Sequence, residues 1–205
     1  MTGPSAMYIS MGDKLASPSN GHGIPVLRLD FRYPARNRYC VADTIAAMDY
    51  LEQRFAISRF VLVGWSFGGA PVFSAAAKEP KRVIGCATVA SQTAETDGIR
   101  KLAPRPLLLL HGAADTTLSP TCSRSLFDAY GTGGDKVMKI FEGDDHALTR
   151  HAAEAERLLC EFVVKCAAEV EGQDKGSFGQ DVMGNERVRK ELMEKGGDLK
   201  GESLR

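Results

Sequence analysis

The chain has 205 residues, of which 43% are hydrophobic and 25% charged, and its 26 basic and 26 acidic residues leave no formal net charge. That length suffices for one domain with a substantial core, and the composition is that of an ordinary globular protein. The balanced charge argues against general affinity for nucleic acid or an anionic membrane, and no apolar run approaches the roughly 20 residues of a spanning helix.

In chain order, Met1 to Ser5 lacks the charged-then-apolar pattern of a secretory signal. Met7 to Leu15 reads as a short helix, ended by the Ala16 to Gly21 turn residues. Ile24 to Phe31 has the alternation and β-branching of a strand, and Tyr33 to Asn37 is a loop. From Val41 to Phe55, Ile45, Met48, Leu51 and Phe55 recur at helical spacing. Phe60 to Val63 is a buried strand, and the helix that follows it fades near Lys78-Glu79-Pro80. Val83 to Val89 and Leu107 to Leu110 are further buried strands, the second stopped by His111-Gly112. Pro120 to Tyr130 is a helix with proline at its start and Gly131 past its end. Val137 to Phe141 is a short strand, and Ala152 to Val170 a long helix burying Leu158, Leu159, Phe162, Val163 and Ala167.

Strands alternating with helices predict an α/β fold, a parallel sheet covered on both sides. Residues 1–170 form this domain; residues 171–205, rich in Gly, Lys, Glu and Asp, read as a disordered tail or at most a loose helix. The five cysteines, Cys40, Cys86, Cys122, Cys160 and Cys166, are odd in number and show no metal-ligand spacing. Free thiols in a reducing, cytoplasmic compartment are expected.

Between the Phe60 strand and its helix stands Gly64-Trp65-Ser66-Phe67-Gly68. Strand, G-x-S-x-G, helix is the pattern of a nucleophile elbow, a turn so tight that the serine hydroxyl is exposed above the sheet. A serine hydroxyl is a weak nucleophile without a base and an acid that orients the base. In parallel sheets such partners lie just past the carboxyl ends of strands. Asp115 follows the Leu107 strand and His146 follows the Val137 strand, in the order the elbow requires. Ser66, His146 and Asp115 are therefore the candidate catalytic residues, the backbone N–H of Phe67 the candidate oxyanion donor, and Trp65 the candidate substrate contact. Asp144 and Asp145 compete weakly with Asp115 and are expected to point elsewhere from the same loop. His111 is expected to pack beneath the site, His151 to be solvated or capping, and Arg32, Arg36 and Arg38 to be solvated or salt-bridged rather than to hold an acidic substrate.

These residues resemble the α/β-hydrolase superfamily. Gly64 to Gly69 is similar to its elbow, Leu107 to Asp115 with Leu118-Ser119-Pro120 to the acid-strand motif of dienelactone hydrolase-like and prolyl-oligopeptidase-like members, and Gly143 to His146 to their histidine loop. The resemblance runs from about Met7 to Val170. It implies a three-layer sandwich, an acyl-enzyme mechanism on esters, thioesters, amides or peptides, a small-molecule acyl substrate, and no metal or organic cofactor. Ser66 stands where a dienelactone hydrolase proper has cysteine, which argues against that activity. Two departures are expected. The first strands of the superfamily sheet and the loop that carries the second oxyanion donor are missing or reduced to Met1 to Ser5, so the chain resembles a member shortened at its amino end. One lost donor costs roughly a hundred- to a thousandfold in rate. The short connection between Val89 and Pro104 leaves no room for a cap domain. The expected function is a carboxylesterase-like serine hydrolase. Its rivals are a hydrolase-like protein that binds but turns over poorly, and a serine peptidase of prolyl-oligopeptidase type.

Overall fold

A computed structural model of the chain describes residues 4–17 and 23–171. In chain order the elements are α1 (Pro4–Ala16), α2 (Asn37–Phe55), β1 (Phe60–Trp65), α3 (Gly69–Lys78), β2 (Val83–Val89), β3 (Leu107–Gly112), α4 (Thr121–Ala129), β4 (Lys136–Phe141) and α5 (Ala152–Glu171), with short 3-10 turns at Ser66–Gly68 and Asp97–Lys101. The four strands form one sheet in the order β1-β2-β3-β4, and every neighbouring pair is parallel.

Sequential strand order has a geometric consequence. Each crossover turns with the same hand, so the connecting helices fall on one face of the sheet. On that face Met48 of α2, Val72, Phe73 and Ala76 of α3 and Leu126 of α4 pack on Cys86, Leu107 and Leu109. The other face is covered by α1 and α5, whose Met7, Met11, Leu15, Leu159 and Val163 pack on Ala87, Val89, Leu108 and Leu110. The result is three layers, helices on either side of a parallel sheet. Double coverage explains why β2 and β3 read as continuous apolar runs rather than alternating ones. β4, at the sheet edge, does alternate, and Val137 there is half exposed.

Two expectations need correction. Ile24 to Phe31 lies in no strand. Its backbone tie is the Ile24 N–H to the Leu15 carbonyl at 2.8 Å, and Val26, Leu27 and Leu29 are exposed. β-branching favours a strand only where a neighbour takes up its N–H and C=O groups, and β1 pairs with β2 on one side alone. The second correction concerns α2, which begins one turn before Val41. The buried residues of α2 are Asn37, Cys40, Val41, Asp43 and Met48, so of the four expected stripe residues only Met48 is buried. α2 stops at Ala56, a left-handed residue (φ 57°) whose N–H returns to the Glu52 carbonyl while the Ile57 N–H returns to the Leu51 carbonyl. Residues 172–205, read above as a tail, and residues 1–3 lie outside the described residues. Among the described residues no helix is long and apolar enough to cross a membrane.

Candidate active site

β1 delivers the serine. Trp65 ends the strand in extended backbone, and Ser66–Phe67–Gly68 turn at once into α3. Ser66 is forced to φ 55°, a left-handed value that costs a residue with a Cβ about 1–3 kcal/mol. Gly64 makes the turn possible. A Cβ there would overlap the Gly68 carbonyl oxygen and come 2.9 Å from Val72 Cγ2. Phe67, next in the turn, lies where backbone N–H groups have no intrahelical acceptor.

β3 delivers the acid. The Asp115 side chain is fully buried. Its Oδ1 accepts the N–H groups of Thr117 (2.8 Å) and Leu118 (2.9 Å), and its Oδ2 lies 2.6 Å from His146 Nδ1. Burial pushes the carboxyl up, but the Leu118 N–H, the His146 ring and the Thr117 N–H outweigh it and hold Asp115 below the usual carboxylate range. A carboxylate in that state accepts the Nδ1 hydrogen of His146, which leaves Nε2 as the acceptor side of the ring. His146 Nε2 is 3.0 Å from Ser66 Oγ. The structure thus brings Ser66, His146 and Asp115 into one chain of hydrogen bonds.

The histidine comes from the loop after β4, and that loop is clamped throughout. Asp144 Oδ1 accepts the N–H groups of Asp145 (2.9 Å) and Arg150 (3.1 Å), and its Oδ2 accepts the N–H (3.0 Å) and ring Nδ1 (2.8 Å) of His151. Asp145 Oδ1 takes the N–H groups of Ala147 and Thr149, and its Oδ2 takes the Thr149 hydroxyl. Both carboxylates point away from His146, as expected. Burial raises the Asp144 carboxyl, yet the hydrogen bonds from Arg150, His151 and Asp145 hold it below the usual range. The loop is also tied to the acid loop: Ala113 N–H donates to the Phe141 carbonyl and Ala114 N–H to the Asp144 carbonyl, both at 2.8 Å. Gly112 lets the two loops meet, since a Cβ there would overlap the carbonyl oxygens of Asp144 and Asp145.

Trp65 was expected at the substrate. Its indole N–H donates to the His146 carbonyl at 3.1 Å, its ring lies 5.0 Å from the imidazole at 49°, and the side chain packs against the core. His111 is fully buried beneath the site. His151 is paired with Asp144 and stacked on Phe141 at 5.3 Å, rather than merely solvated. Arg32 is salt-bridged to the buried Asp43, and Arg38 lies over the Tyr39 ring at 4.5 Å. Sequence reading missed the Asp144 clamp and the Gly112 contact. The Asp144 clamp closes within its own loop, on residues 145 to 151, and shows only once the direction of the carboxylate is known, whereas the Gly112 contact joins two loops far apart in the chain.

Comparison with known proteins agrees with this architecture. A family profile described as the alpha/beta hydrolase fold matches residues 3–130, a span that includes Ser66 and Asp115 and stops before β4 and His146. A putative alpha/beta hydrolase of unknown function from Agrobacterium tumefaciens superposes with a TM-score of 0.63 at 18% identity, covering 82% of this chain and 83% of that one. An esterase domain from Rhodothermus marinus gives 0.59 at 22% identity, covering 76% and 78%. A dienelactone hydrolase from Anabaena variabilis gives 0.55 at 18% identity, covering 63% and 61%. At these identities the likeness is one of fold. No curated protein sequence matches.

Proposed function

The chain belongs to the alpha/beta hydrolase family, and from that premise we propose that it is a serine hydrolase of carboxylic ester or related acyl bonds, working through an acyl-enzyme. One observation carries the reading: the Ser66 Oγ, His146 and Asp115 hydrogen bonds of 3.0 and 2.6 Å, at the carboxyl ends of three parallel strands. The esterase domain from Rhodothermus marinus, with the same fold, supports the choice of substrate bond.

In this reading His146 Nε2 takes the Ser66 proton as Oγ adds to the acyl carbon, and the Asp115 carboxylate stabilises the imidazolium that forms. The Phe67 N–H donates to the developing oxyanion. Collapse of the tetrahedral intermediate breaks the bond to the leaving alcohol, which leaves with the proton held on His146. Water then repeats the sequence on the acyl-enzyme and restores Ser66. Holding the serine at φ 55° serves the chemistry, because it aims Oγ away from the sheet. The five unpaired cysteines favour a reducing compartment for the protein.

The test is labelling by a fluorophosphonate probe together with turnover of p-nitrophenyl acetate. Ser66→Ala is expected to abolish both. Labelling that persists in this variant refutes the assignment of Ser66, and labelling of the wild type without turnover favours a binding role over catalysis.

A further inference from the structure

The acid of the site is itself held by a second histidine. We propose that His111 is a positioning residue for Asp115, an inference that rests on the reading of Ser66, His146 and Asp115 as one catalytic unit.

His111 lies at the end of β3 with no exposed surface. A side chain there needs only to pack, yet both ring nitrogens have partners. Nδ1 is 2.7 Å from the hydroxyl of Ser123, a fully buried residue of α4. Nε2 is 3.0 Å from the Leu118 carbonyl and 3.1 Å from Asp115 Oδ2. A carbonyl and a carboxylate are both acceptors, so Nε2 carries the hydrogen, and in the neutral ring the Ser123 hydroxyl donates to Nδ1. The imidazole thereby spans from α4 to the acid turn in one fixed orientation.

Two consequences reach the catalytic unit. First, Leu118 is gripped from both sides: its carbonyl takes the His111 hydrogen while its N–H goes to Asp115 Oδ1. Without the imidazole the Leu118–Ser119 peptide loses its anchor, and the adjoining Thr117–Leu118 peptide, whose N–H is one of the two backbone donors to Oδ1, is held less firmly. Second, the Nε2 hydrogen lies beside the same carboxylate oxygen that accepts from His146, so the positive edge of the ring holds Oδ2 where His146 needs it. Removing His111 lets the carboxylate turn about its last torsion and swing off the His146 ring.

Three replacements separate this role from packing. Glutamine places an amide nitrogen near the position of Nε2, asparagine places one near Nδ1 only, and leucine places none. The readouts are the fluorophosphonate labelling rate, kcat/KM for p-nitrophenyl acetate, and thermal unfolding. His111→Leu and His111→Asn are expected to slow labelling and turnover by about 10- to 100-fold, the cost of misplacing a catalytic group by a fraction of an ångström to 1 Å. His111→Gln is expected to recover most of that loss. Asparagine and glutamine have the same amide, so this pair carries the test even where leucine unfolds the protein. A glutamine variant no faster than the asparagine variant overturns the proposal, as does a loss confined to thermal stability. Ser66→Ala run alongside keeps the failures apart: activity persisting there overturns the serine reading, whereas its abolition together with wild-type rates in all three His111 variants overturns the positioning role alone.

Discussion

Gly112→Ala tests whether the acid and histidine loops form one unit. Gly112 ends β3 opposite Phe141, the last residue of β4, and the two chains separate from there into the loops that hold Asp115 and His146. A Cβ at 112 would stand 2.7 Å from the Asp144 carbonyl carbon and closer still to two carbonyl oxygens, where ordinary contact begins at 3.4 Å. All three atoms are backbone, so no side chain can turn aside, and the histidine loop must retreat by roughly 1 Å, the gap to normal van der Waals separation. His146 follows Asp145 directly. Passed on in full, the retreat stretches the 2.6 Å bond to Asp115 and the 3.0 Å contact with Ser66 to about 3.6 and 4 Å, beyond hydrogen-bonding distance. We predict that Gly112→Ala slows p-nitrophenyl acetate hydrolysis and fluorophosphonate labelling roughly a hundredfold. Crowding a packed backbone costs about 1–3 kcal/mol, which lowers Tm by about 2–4 °C per kcal/mol for a domain of this size. The assay is labelling rate against melting temperature. A lower Tm with an unchanged labelling rate would refute the reasoning, because the loops would then have shifted together without disturbing the Ser66–His146–Asp115 chain.

Trp65→Phe keeps an aromatic ring beside the imidazole and removes the N–H that holds the His146 carbonyl. The loss of about 1 kcal/mol is expected to slow labelling roughly fivefold, whereas a change in substrate preference at unaltered labelling rate would favour Trp65 as a substrate contact instead. Asp144→Asn is expected to lower Tm at neutral pH, and the gap from wild type to narrow in acid. The folded Asp144 carboxyl lies below its unfolded value, so its contribution is present above the ordinary aspartate pKa of about 3.9 and is lost as the pH falls through the lower folded value. Melting curves from pH 6 to pH 3 check this, and a gap that stays constant across the range contradicts it.

The strands of the sheet were legible, and so was the meeting of Ser66, Asp115 and His146, because each rests on local chemistry. β2 and β3 are buried on both faces, so their apolar runs stand out without reference to neighbours, and β1, partly buried, still reads as a short apolar run. Ser66 lies between two glycines, and at Gly64 the close approach of the turn leaves no room for a Cβ. Asp115 and His146 were found by position, since each comes soon after a strand end. What failed was non-local. Ile24 to Phe31 carries strand chemistry, but pairing depends on a partner strand that lies elsewhere in the chain. That the Trp65 indole N–H reaches a carbonyl 81 residues away is likewise invisible in its neighbours along the chain. The direction of Asp144 and Asp145, expected to be away from His146, is by contrast set within their own loop. Their oxygens are occupied by the N–H groups of residues 145 to 151.

The pattern of anchors follows from the width of the sheet. Ser66 leaves β1, and the strands lie in the order β1-β2-β3-β4. Adjacent strands are about 4.8 Å apart, so β3 stands roughly 10 Å from β1, and β4 roughly 14 Å. His146 leaves the far strand and must cross above β3 and β2 to reach Ser66, whereas Asp115 needs to meet it only part of the way. The longer overhang has more freedom to lose, and it carries more restraints: the Asp144 and Asp145 carboxylates within the loop, the Ala114 N–H beneath it and the Trp65 indole at its tip. The shorter acid loop is held by the Thr117 and Leu118 N–H groups and by His111 behind them. A weakened restraint on the histidine side therefore displaces His146 directly, and one on the acid side acts through a single carboxylate. That asymmetry ranks the substitutions, with Gly112→Ala more damaging than His111→Asn.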